Sequence, residues 1–323
     1  MTPMRISLLA MGGTISTNAG PQGALPTLGA DQLAGGVAHD GGNLEISSRD
    51  VLKVSSRAVT LQNMWDLATA VREEIEGGAQ GVVVTHGTDT LEETVYALAL
   101  LLDTPVPVVV TGAMRVPGSP GADGPANLAG AIAVARNPEF AAYGPVAVFQ
   151  DEIHLARWVT KTHSARVAAF TSPATGPVGH VVEDRAVPFV GPPPAGERLS
   201  RIAAPDKRVE LLWGVAGADG MVVDAITDRI DGLVVAGTGG GHVAPPLAES
   251  LVRAADGGLP VVLASRCADP QVLDHTYGGV GSEVHLLAAG LHSAGTLSAV
   301  KARLRLAFGL AAGIPAAELF SRG

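Results

Sequence analysis

The sequence predicts an α/β protein with a larger N-terminal doubly wound domain, whose sheet is rich in parallel strands, and a smaller C-terminal α/β domain. Short, continuously apolar runs recur along the chain, helical repeats separate them, and one proline-rich interval interrupts the alternation. Continuous apolar runs are typical of parallel strands that are covered on both faces. With 323 residues, the chain is long enough for two domains.

The first two-thirds of the chain alternates predicted strands with predicted helices. Apolar residues at helical spacing predict a helix over 61–75, which the pair Gly77-Gly78 ends. Regular alternation of strand, helix and strand implies right-handed crossovers and a parallel sheet. The other predicted elements are strands over 6–10, 81–85, 106–111 and 145–149, and helices over 90–102 and 126–135.

A segment near residue 190 fits neither a strand nor a helix, because it contains the run Gly191-Pro-Pro-Pro-Ala-Gly196 followed by mixed polar residues. We therefore predict an N-terminal α/β domain over 1–187, a linker over 188–208 and a C-terminal α/β domain over 209–323. Beyond the linker, the predicted strands are 211–215, 232–236 and 260–264, and a helix over 297–310 closes the chain.

The composition excludes several classes of protein. The 22 Lys and Arg residues against 31 Asp and Glu give a net charge of −9, which argues against a nucleic-acid partner or an anionic membrane surface. No apolar run approaches the roughly 18 residues of a membrane span, and segment 6–11 is too short for the core of a secretory signal. The single cysteine, Cys267, can form no internal disulfide. If the chain is complete, we expect it in the cytoplasm.

Two loops carry hydroxyl groups at the carboxyl ends of predicted strands, where ligands of such sheets bind. Loop 11–16 reads Met-Gly-Gly-Thr-Ile-Ser, and its glycines let the backbone near Thr14 pass close to a ligand. Loop 85–90 reads Thr-His-Gly-Thr-Asp-Thr, and Thr90 with Glu93 predicts a capping box at a helix start. Backbone N–H groups there can hold a carboxylate or an oxyanion. The plainer alternative is that both loops are tight turns.

A threonine hydroxyl becomes a good nucleophile only when a base takes its proton, and a lysine can do so only when its amine is neutral. The chain has four lysines, namely Lys53, Lys161, Lys207 and Lys301. Lys161 lies in a β-like stretch of small polar residues, 159–162, and is the candidate. An ordinary solvated lysine is the alternative.

Five short motifs stand out along the chain. They are Gly12-Gly13-Thr14-Ile15, His86-Gly87-Thr88-Asp89-Thr90, Gly112-Ala113-Met114-Arg115, Ala122-Asp123-Gly124-Pro125 with Asn127, and Val159-Thr160-Lys161-Thr162. In order and approximate spacing these motifs resemble those of bacterial-type L-asparaginases over nearly the whole chain. Each motif alone is weak, whereas five in register are specific. The resemblance implies hydrolysis of L-asparagine to L-aspartate and ammonia through an acyl-enzyme, without a metal or an organic cofactor.

The resemblance also implies roles for individual residues. Thr14 would be the nucleophile that attacks the side-chain amide carbon. Lys161 would draw the proton from Thr88, whose hydroxyl then assists proton transfer or activates water. Asp89 would hold this geometry and the α-ammonium group of the substrate. Backbone N–H groups of Thr88 and Ala113 would form the oxyanion hole.

Further contacts to the substrate are implied by the same resemblance. Ser56 matches a family serine that contacts the α-carboxylate. The family forms homotetramers from intimate dimers with sites between subunits, so we expect the C-terminal domain to contribute to the neighbouring subunit's site. His242 falls where the family has a substrate-side asparagine, which could change the selectivity between asparagine and glutamine. Glu283 is a candidate for the family's intersubunit glutamate, with Gln271 as the alternative.

One departure from the family concerns the loop 17–28, which contains no tyrosine, although many members carry one there that is hydrogen-bonded to the nucleophile. Either another group activates Thr14 or closure of the loop works differently. The segment 237–242 invites comparison with a dinucleotide loop, but His242 replaces its last glycine and the segment lies late in the chain.

Three other functions remain open at this point. Within the same chemistry, the chain could be a glutaminase-asparaginase of broader specificity or the amidase subunit of a transamidation complex, which usually carries an extra N-terminal domain. From another class, it could be an amino-acid-binding homologue that has lost efficient turnover together with the tyrosine.

Overall fold

A computed structural model describes residues 3–18, 25–26, 28–35, 43–193 and 197–321 of the chain. The chain divides into two compact units, Met1–Arg198 and Leu199–Gly323. Both units are α/β, and the larger N-terminal one has a mostly parallel sheet, so the predicted fold class is confirmed. The division falls inside the stretch 188–208 that the sequence predicts as a linker. Within the described residues, no helix combines the length and the apolar character needed to cross a membrane.

The N-terminal unit consists of short strands and helices in alternation. Its strands are β1 (Met4–Gly12), β2 (Thr17–Asn18), β3 (Leu25–Pro26), β4 (Leu44–Val54), β5 (Gly81–Thr85), β6 (Val108–Thr111), β7 (Val146–Phe149), β8 (Glu152–Leu155), β9 (Thr160–Lys161), β10 (Phe170–Thr171), β11 (Gly179–Val182) and β12 (Arg185–Pro188). Its helices are α1 (Ala30–Gly35), α2 (Leu61–Glu76), α3 (Leu91–Leu101) and α4 (Gly124–Ala135).

An eight-stranded sheet, in the order β12-β11-β8-β7-β6-β5-β1-β4, forms the centre of this unit. The strands β4, β1, β5, β6 and β7 are parallel, whereas β8, β11 and β12 extend the sheet by antiparallel pairing. The short strands β2 and β3 form a separate ladder, and so do β9 and β10.

Apolar residues on both faces of the parallel strands hold this sheet in the core. Ile6, Leu8 and Val83 lie in one buried cluster with Leu128 and Ile132 of α4. Because side chains alternate along a strand, their sequence neighbours face the opposite side of the sheet. Those neighbours, Leu9, Val82 and Val84, are also fully buried. Burial of both faces explains why these strands are continuously apolar.

The register of the parallel strands brings their carboxyl ends to one edge of the sheet. Ala10 of β1 pairs with Thr85 of β5, and Thr85 pairs with Thr111 of β6. On the other side of β1, Gly12 pairs with Val54 of β4. The loops that follow these four strands therefore start side by side, and they contain the residues that the sequence singles out for chemistry.

The C-terminal unit is a smaller parallel sheet with helices. Its strands, in the spatial order β13-β14-β15-β16, all run parallel. They are β13 (Val209–Trp213), β14 (Gly232–Gly237), β15 (Val261–Ser265) and β16 (His292–Ser293), and the helices are α5 (Met221–Ile226), α6 (Pro245–Asp256), α7 (Glu283–Ala288), α8 (Ala299–Ala311) and α9 (Ala316–Leu319). Leu233, Val235 and Leu263 form its core with Leu247 and Leu251 of α6.

Candidate active site

The turns after β1, β4, β5 and β6 carry five of the eight predicted site residues. Thr14 follows β1, Ser56 follows β4, Thr88 and Asp89 follow β5, and Ala113 follows β6. A sixth residue, Lys161, ends β9. All six belong to the N-terminal unit.

The turns of Thr14 and Thr88 are in direct backbone contact through two glycines. A Cβ atom placed on Gly13 would lie 2.2 Å from the Cα of Gly87, and Gly13 has a φ of +84°. A Cβ placed on Gly87 would lie 2.7 Å from the Oγ of Ser56. Real Cβ atoms do not approach other heavy atoms so closely, so both positions require glycine. The three turns therefore converge because neither glycine has a side chain.

Thr14 begins a turn of 3₁₀ helix that covers Thr14–Ser16. The N–H of Gly13 donates to the Val54 carbonyl (3.2 Å), and the Thr17 hydroxyl donates to the Thr14 carbonyl (2.7 Å). Ser16 is fully buried, whereas Thr14 keeps part of its surface exposed. The backbone on both sides of Thr14 is thus fixed, and the residue itself is only partly buried. Most of the tyrosine-free loop lies outside the described residues.

Thr88, Asp89 and Lys161 are joined by hydrogen bonds. The Nζ of Lys161 donates to the Thr88 Oγ1 (2.9 Å) and to the Asp89 Oδ1 (2.7 Å). The Thr88 side chain is buried, and the Lys161 side chain is only 11% exposed, whereas that of Asp89 is 64% exposed. The structure therefore brings the predicted lysine to the predicted threonine and leaves a carboxylate facing outward beside them.

Strand pairing positions Lys161. Its register partner in β10 is Phe170, whose ring stacks on that of Phe149 at a centroid distance of 4.1 Å. Because Phe149 ends β7, the stacked rings tie the β9–β10 ladder to the main sheet. Stacked aromatic pairs of this kind contribute about 0.5–1.5 kcal/mol beyond their buried area.

Ser56 connects the turn after β4 to the start of α3. Its buried Oγ accepts the N–H of Asp89 (3.2 Å), and its carbonyl accepts the hydroxyl of Thr90 (2.9 Å). Thr90 is the N-cap residue of α3, but its side chain makes no capping hydrogen bond. The predicted capping box is therefore wrong, because the Thr90 hydroxyl is engaged by Ser56 instead.

Two buried side chains at the start of α4 hold the loop of Ala113. The carboxylate of Asp123 accepts the N–H groups of Met114 (2.9 Å) and Arg115 (2.9 Å). The Nδ2 of Asn127 donates to the Gly112 carbonyl (3.0 Å) and to Asp123 (3.0 Å). Sequence reasoning gave these two residues no role. The signal was an Asp at the start of a helix with an Asn four residues later, on the same helix face.

The backbone N–H groups of Thr88 and Ala113 face no acceptor in the described part of the chain. The two loops lie against each other, since a Cβ on Gly112 would be 2.4 Å from the His86 carbonyl and 3.5 Å from the Cγ2 of Thr88. Two unpaired donors on adjacent loops can stabilise an oxyanion.

His242 and Glu283 form a pair within the C-terminal unit. The His242 Nε2 lies 2.9 Å from the Glu283 Oε2, and the Glu283 Oε1 accepts the N–H groups of Thr276 (2.9 Å) and Tyr277 (2.7 Å). Burial acts to raise the pKa of Glu283, but the hydrogen bonds from Tyr277, its own backbone, Thr276 and His242 outweigh it, so this pKa lies below its ordinary value.

The burial of Glu283 bears on its predicted role. Its side chain has no exposed surface in this unit, whereas that of His242 is 29% exposed. In the described chain the Glu283 carboxylate holds the His242 ring, and a contact of Glu283 with substrate stays a prediction. Tyr277 supports the same ring edge-on at 4.9 Å.

As for metals, the described residues include no cluster of three or more ligand-type side chains that could bind one.

Family models match both units of the chain. Residues 5–193 match the model described as "Asparaginase, N-terminal", and residues 208–320 match "Glutaminase/Asparaginase C-terminal domain". The chain therefore belongs to the asparaginase family of hydrolases.

Individual relatives agree with this assignment. The chain is 38% identical to a "Probable L-asparaginase" of Deinococcus radiodurans, over 94% of this chain and 91% of the relative. It is 32% identical to a subunit of the glutamyl-tRNA(Gln) amidotransferase of Halobacterium salinarum, over 95% of this chain and 75% of that protein. A crystal structure of a "Probable Cytoplasmic L-asparaginase" from Campylobacter jejuni superposes with a TM-score of 0.87 at 30% identity and covers 98% of both chains.

Proposed function

We propose that this protein is an L-asparaginase that hydrolyses L-asparagine to L-aspartate and ammonia. The observation that carries the proposal is the pair of bonds from Lys161 to Thr88 and Asp89, on a turn packed against that of Thr14. Hydroxyl groups on two touching turns can act on one small molecule, and a lysine bonded to the second can assist its proton transfers.

In the first half-reaction, the Thr14 Oγ attacks the side-chain amide carbon of asparagine. The amide oxygen becomes an oxyanion that accepts hydrogen bonds from the N–H groups of Thr88 and Ala113. The C–N bond then breaks, the proton of the Thr14 hydroxyl ends on the leaving nitrogen, and ammonia departs. An ester between Thr14 and the aspartyl side chain remains.

In the second half-reaction, water attacks the carbonyl carbon of this ester. The Thr88 hydroxyl, bonded to Lys161 at 2.9 Å, relays the proton of the water as the new C–O bond forms. The bond to the Thr14 oxygen breaks, that oxygen regains a proton, and aspartate is released.

Ser56 and Asp89 suit the zwitterionic end of an amino acid. Because the Ser56 Oγ already accepts the Asp89 N–H, its own proton is available for the α-carboxylate of the substrate. The exposed carboxylate of Asp89 offers an acceptor to the α-ammonium group, and its bond to Lys161 uses only one oxygen.

We further propose that the protein forms a homotetramer in the cytoplasm. In this assembly the predicted C-terminal domain, 209–323, contributes to the site of a neighbouring subunit, where His242, fixed by Glu283, contacts the substrate.

A coupled assay for ammonia tests the proposal, with L-asparagine and L-glutamine as substrates. We expect the wild-type protein to release ammonia faster from asparagine, and Thr14→Ala to reduce that rate by at least about 10³-fold. Thr175→Ala is the matched control, because Thr175 is an exposed threonine whose hydroxyl donates to the adjacent Gly176 carbonyl.

Each alternative gives a different result in this assay. Equal or faster release from glutamine would instead indicate a glutaminase-asparaginase. The similarity to a subunit of a glutamyl-tRNA(Gln) amidotransferase favours testing glutamine turnover with glutamyl-tRNA(Gln) present. Binding of asparagine without ammonia release above the Thr14→Ala level would contradict the enzymatic proposal and indicate an amino-acid-binding homologue.

A further inference from the structure

His86 lies directly before the Gly87-Thr88 turn, is fully buried, and has both ring nitrogens bonded. Its Nδ1 is 2.7 Å from the Gly87 carbonyl oxygen. Its Nε2 is 3.0 Å from the hydroxyl oxygen of Thr94, in the first turn of α3. The proposed mechanism does not use this histidine, yet its ring joins the helix to the turn that carries the reacting groups.

The two hydrogen-bond partners determine which ring nitrogen of His86 carries the proton. A carbonyl oxygen can only accept, so the proton lies on Nδ1. The unprotonated Nε2 then accepts the hydrogen bond that the Thr94 hydroxyl donates. Burial lowers the pKa of His86 to about 4, so the ring stays neutral near pH 7 and holds this one tautomer.

The hydrogen bond from His86 to the Gly87 carbonyl also determines the direction of the Thr88 N–H. The Gly87 carbonyl and the Thr88 N–H belong to the same peptide unit, which is trans, as all described peptide bonds are. In a trans planar peptide the C=O and the N–H point in opposite directions. Since His86 holds the carbonyl on one side, the Thr88 N–H is directed to the other, where no described protein group accepts it.

The same peptide has little room to rotate. Gly87 is confined between Gly13 and Ser56, where an added Cβ would lie 3.1 Å from the Gly13 Cα and 2.7 Å from the Ser56 Oγ. A hydrogen bond donated to the carbonyl also polarises the peptide, which strengthens its N–H as a donor.

We infer that His86 is a positioning residue for the proposed reaction, and that its Nδ1–H holds the Gly87–Thr88 peptide so that the Thr88 N–H meets the substrate's developing oxyanion. This inference rests on the proposed asparaginase function. His86 itself touches no reacting atom and acts through the peptide it binds.

Two substitutions separate this role from a general structural one. In His86→Asn, the side-chain amide can place an N–H where Nδ1 lies, whereas in His86→Gln the amide reaches toward Thr94 and leaves the Gly87 carbonyl without its donor. We expect His86→Asn to lose at most about threefold in kcat and His86→Gln to lose about 10- to 100-fold, with KM for asparagine changed less than about threefold in both. Circular dichroism and Tm identify variants that are folded.

Equal kcat values for the two folded variants, or a loss confined to KM, would overturn the inference. Nitrogen-15 NMR of the ring provides a readout that is independent of activity, and we expect the neutral Nδ1–H tautomer from about pH 6 to 9, unchanged in Thr14→Ala. The Nε2–H tautomer in an active wild-type enzyme would sink the inference and leave the proposed function standing. A wild-type protein that releases no ammonia would sink both.

Discussion

At the scale of single residues, the site is built on contacts that leave no space for side-chain atoms. Gly13 and Gly87 touch through their backbones, and the turns of Thr14 and Thr88 are neighbours for that reason. Two effects would oppose any larger residue at position 13, namely its φ of +84° and the collision with Gly87. The two effects can be separated, because other glycines of this chain share the backbone angle without the collision.

We predict that Gly13→Ala lowers kcat/KM for asparagine by at least about 100-fold, since displacing one turn by about 1 Å is enough to misplace the nucleophile. Gly258→Ala is the matched control, because Gly258 has a φ of +92° but nothing within 4 Å of an added Cβ. It should cost about 1 kcal/mol in the free energy of unfolding and leave kcat/KM unchanged. Similar kinetic losses in both variants would refute the role of the contact.

A second prediction concerns acid stability. Burial lowers the pKa of His86 and of His154 from 6.5 to about 4, with a smaller effect of His180 on His154. Between these pH values the unfolded chain takes up protons that the folded one does not. The stabilisation of the folded state by these two pKa shifts is therefore complete above pH 6.5 and is lost as the pH falls toward 4. The free energy of unfolding falls by about 2 kcal/mol per histidine between about pH 7.5 and 5.

Urea unfolding of the wild type and of His86→Asn at about pH 7.5 and pH 5 measures this effect. We expect the free energy of unfolding of the variant to fall by about 2 kcal/mol less than that of the wild type over this interval. His275→Gln serves as the control, because the His275 side chain is 89% exposed. An equal fall for wild type and His86→Asn would show that His86 does not titrate differently on folding.

At the scale of elements, residues at the start of α4 hold the loop after β6 in place by hydrogen bonds. Asp123, the N-cap residue of α4, accepts the N–H groups of Met114 and Arg115, and Asn127 holds the Gly112 carbonyl one turn further along. The helix thereby sets the position of Ala113, whose N–H is part of the proposed oxyanion hole.

We predict that Asp123→Ala lowers kcat/KM about 10- to 100-fold, because the loop of Ala113 loses the acceptor for two N–H groups. The free energy of unfolding should fall by about 1–3 kcal/mol. Asp219→Ala is a matched control, since Asp219 accepts the N–H of Met221 at the start of α5 in the other unit. Equal kcat/KM values for Asp123→Ala and Asp219→Ala would contradict the role of Asp123 in positioning the loop of Ala113.

The sequence predicts some of these elements much better than others, for physical reasons. Strand β5 has the predicted limits, and β1 and α2 differ by at most two residues at either end, because buried apolar residues define them. Strand β4 is not predicted at all, since it lies at the edge of the sheet and many of its residues are polar and exposed. Strand β13 is predicted two residues too late, because Gly214 and Val215 prolong the apolar run beyond the ladder.

The site follows the same pattern. Thr14, Thr88 and Lys161 are predicted from motifs, but the hydrogen bond between Lys161 and Thr88 depends on a tertiary contact. The β9–β10 ladder that holds Lys161 has only two residues in each strand, which is too short for any periodic signal. The pairing of His242 with Glu283 joins residues 41 apart in sequence, and no local pattern indicates it.

At the scale of the whole molecule, the predicted site residues are divided between the two units. Six of the predicted residues lie in the N-terminal unit, and His242 with Glu283 lies in the C-terminal one. If the C-terminal unit serves a neighbouring subunit, two defective variants can complement each other. Thr14→Ala removes the proposed nucleophile from its own site, and His242→Ala removes a group from the neighbour's.

We predict that co-expressed Thr14→Ala and His242→Ala chains regain up to about a quarter of wild-type ammonia release, since random pairing gives half the dimers one intact site of two. Each variant expressed alone should be well below this level. A mixture no more active than the better single variant would show that each chain completes its own site. Sedimentation of the wild type establishes the size of the assembly in the same buffer.

The β9–β10 ladder has a consequence for biosynthesis. Thr14, Ser56, Thr88 and Ala113 all leave the ribosome before Lys161, and the amine is secured only when residues 170–171 have followed it. The hydrogen bond between Lys161 and Thr88 joins residues that are 73 apart in sequence. It therefore forms after the other predicted site residues of this unit have been translated. A nascent polypeptide interrupted at β8 would carry Thr14 and Thr88 without the amine of Lys161.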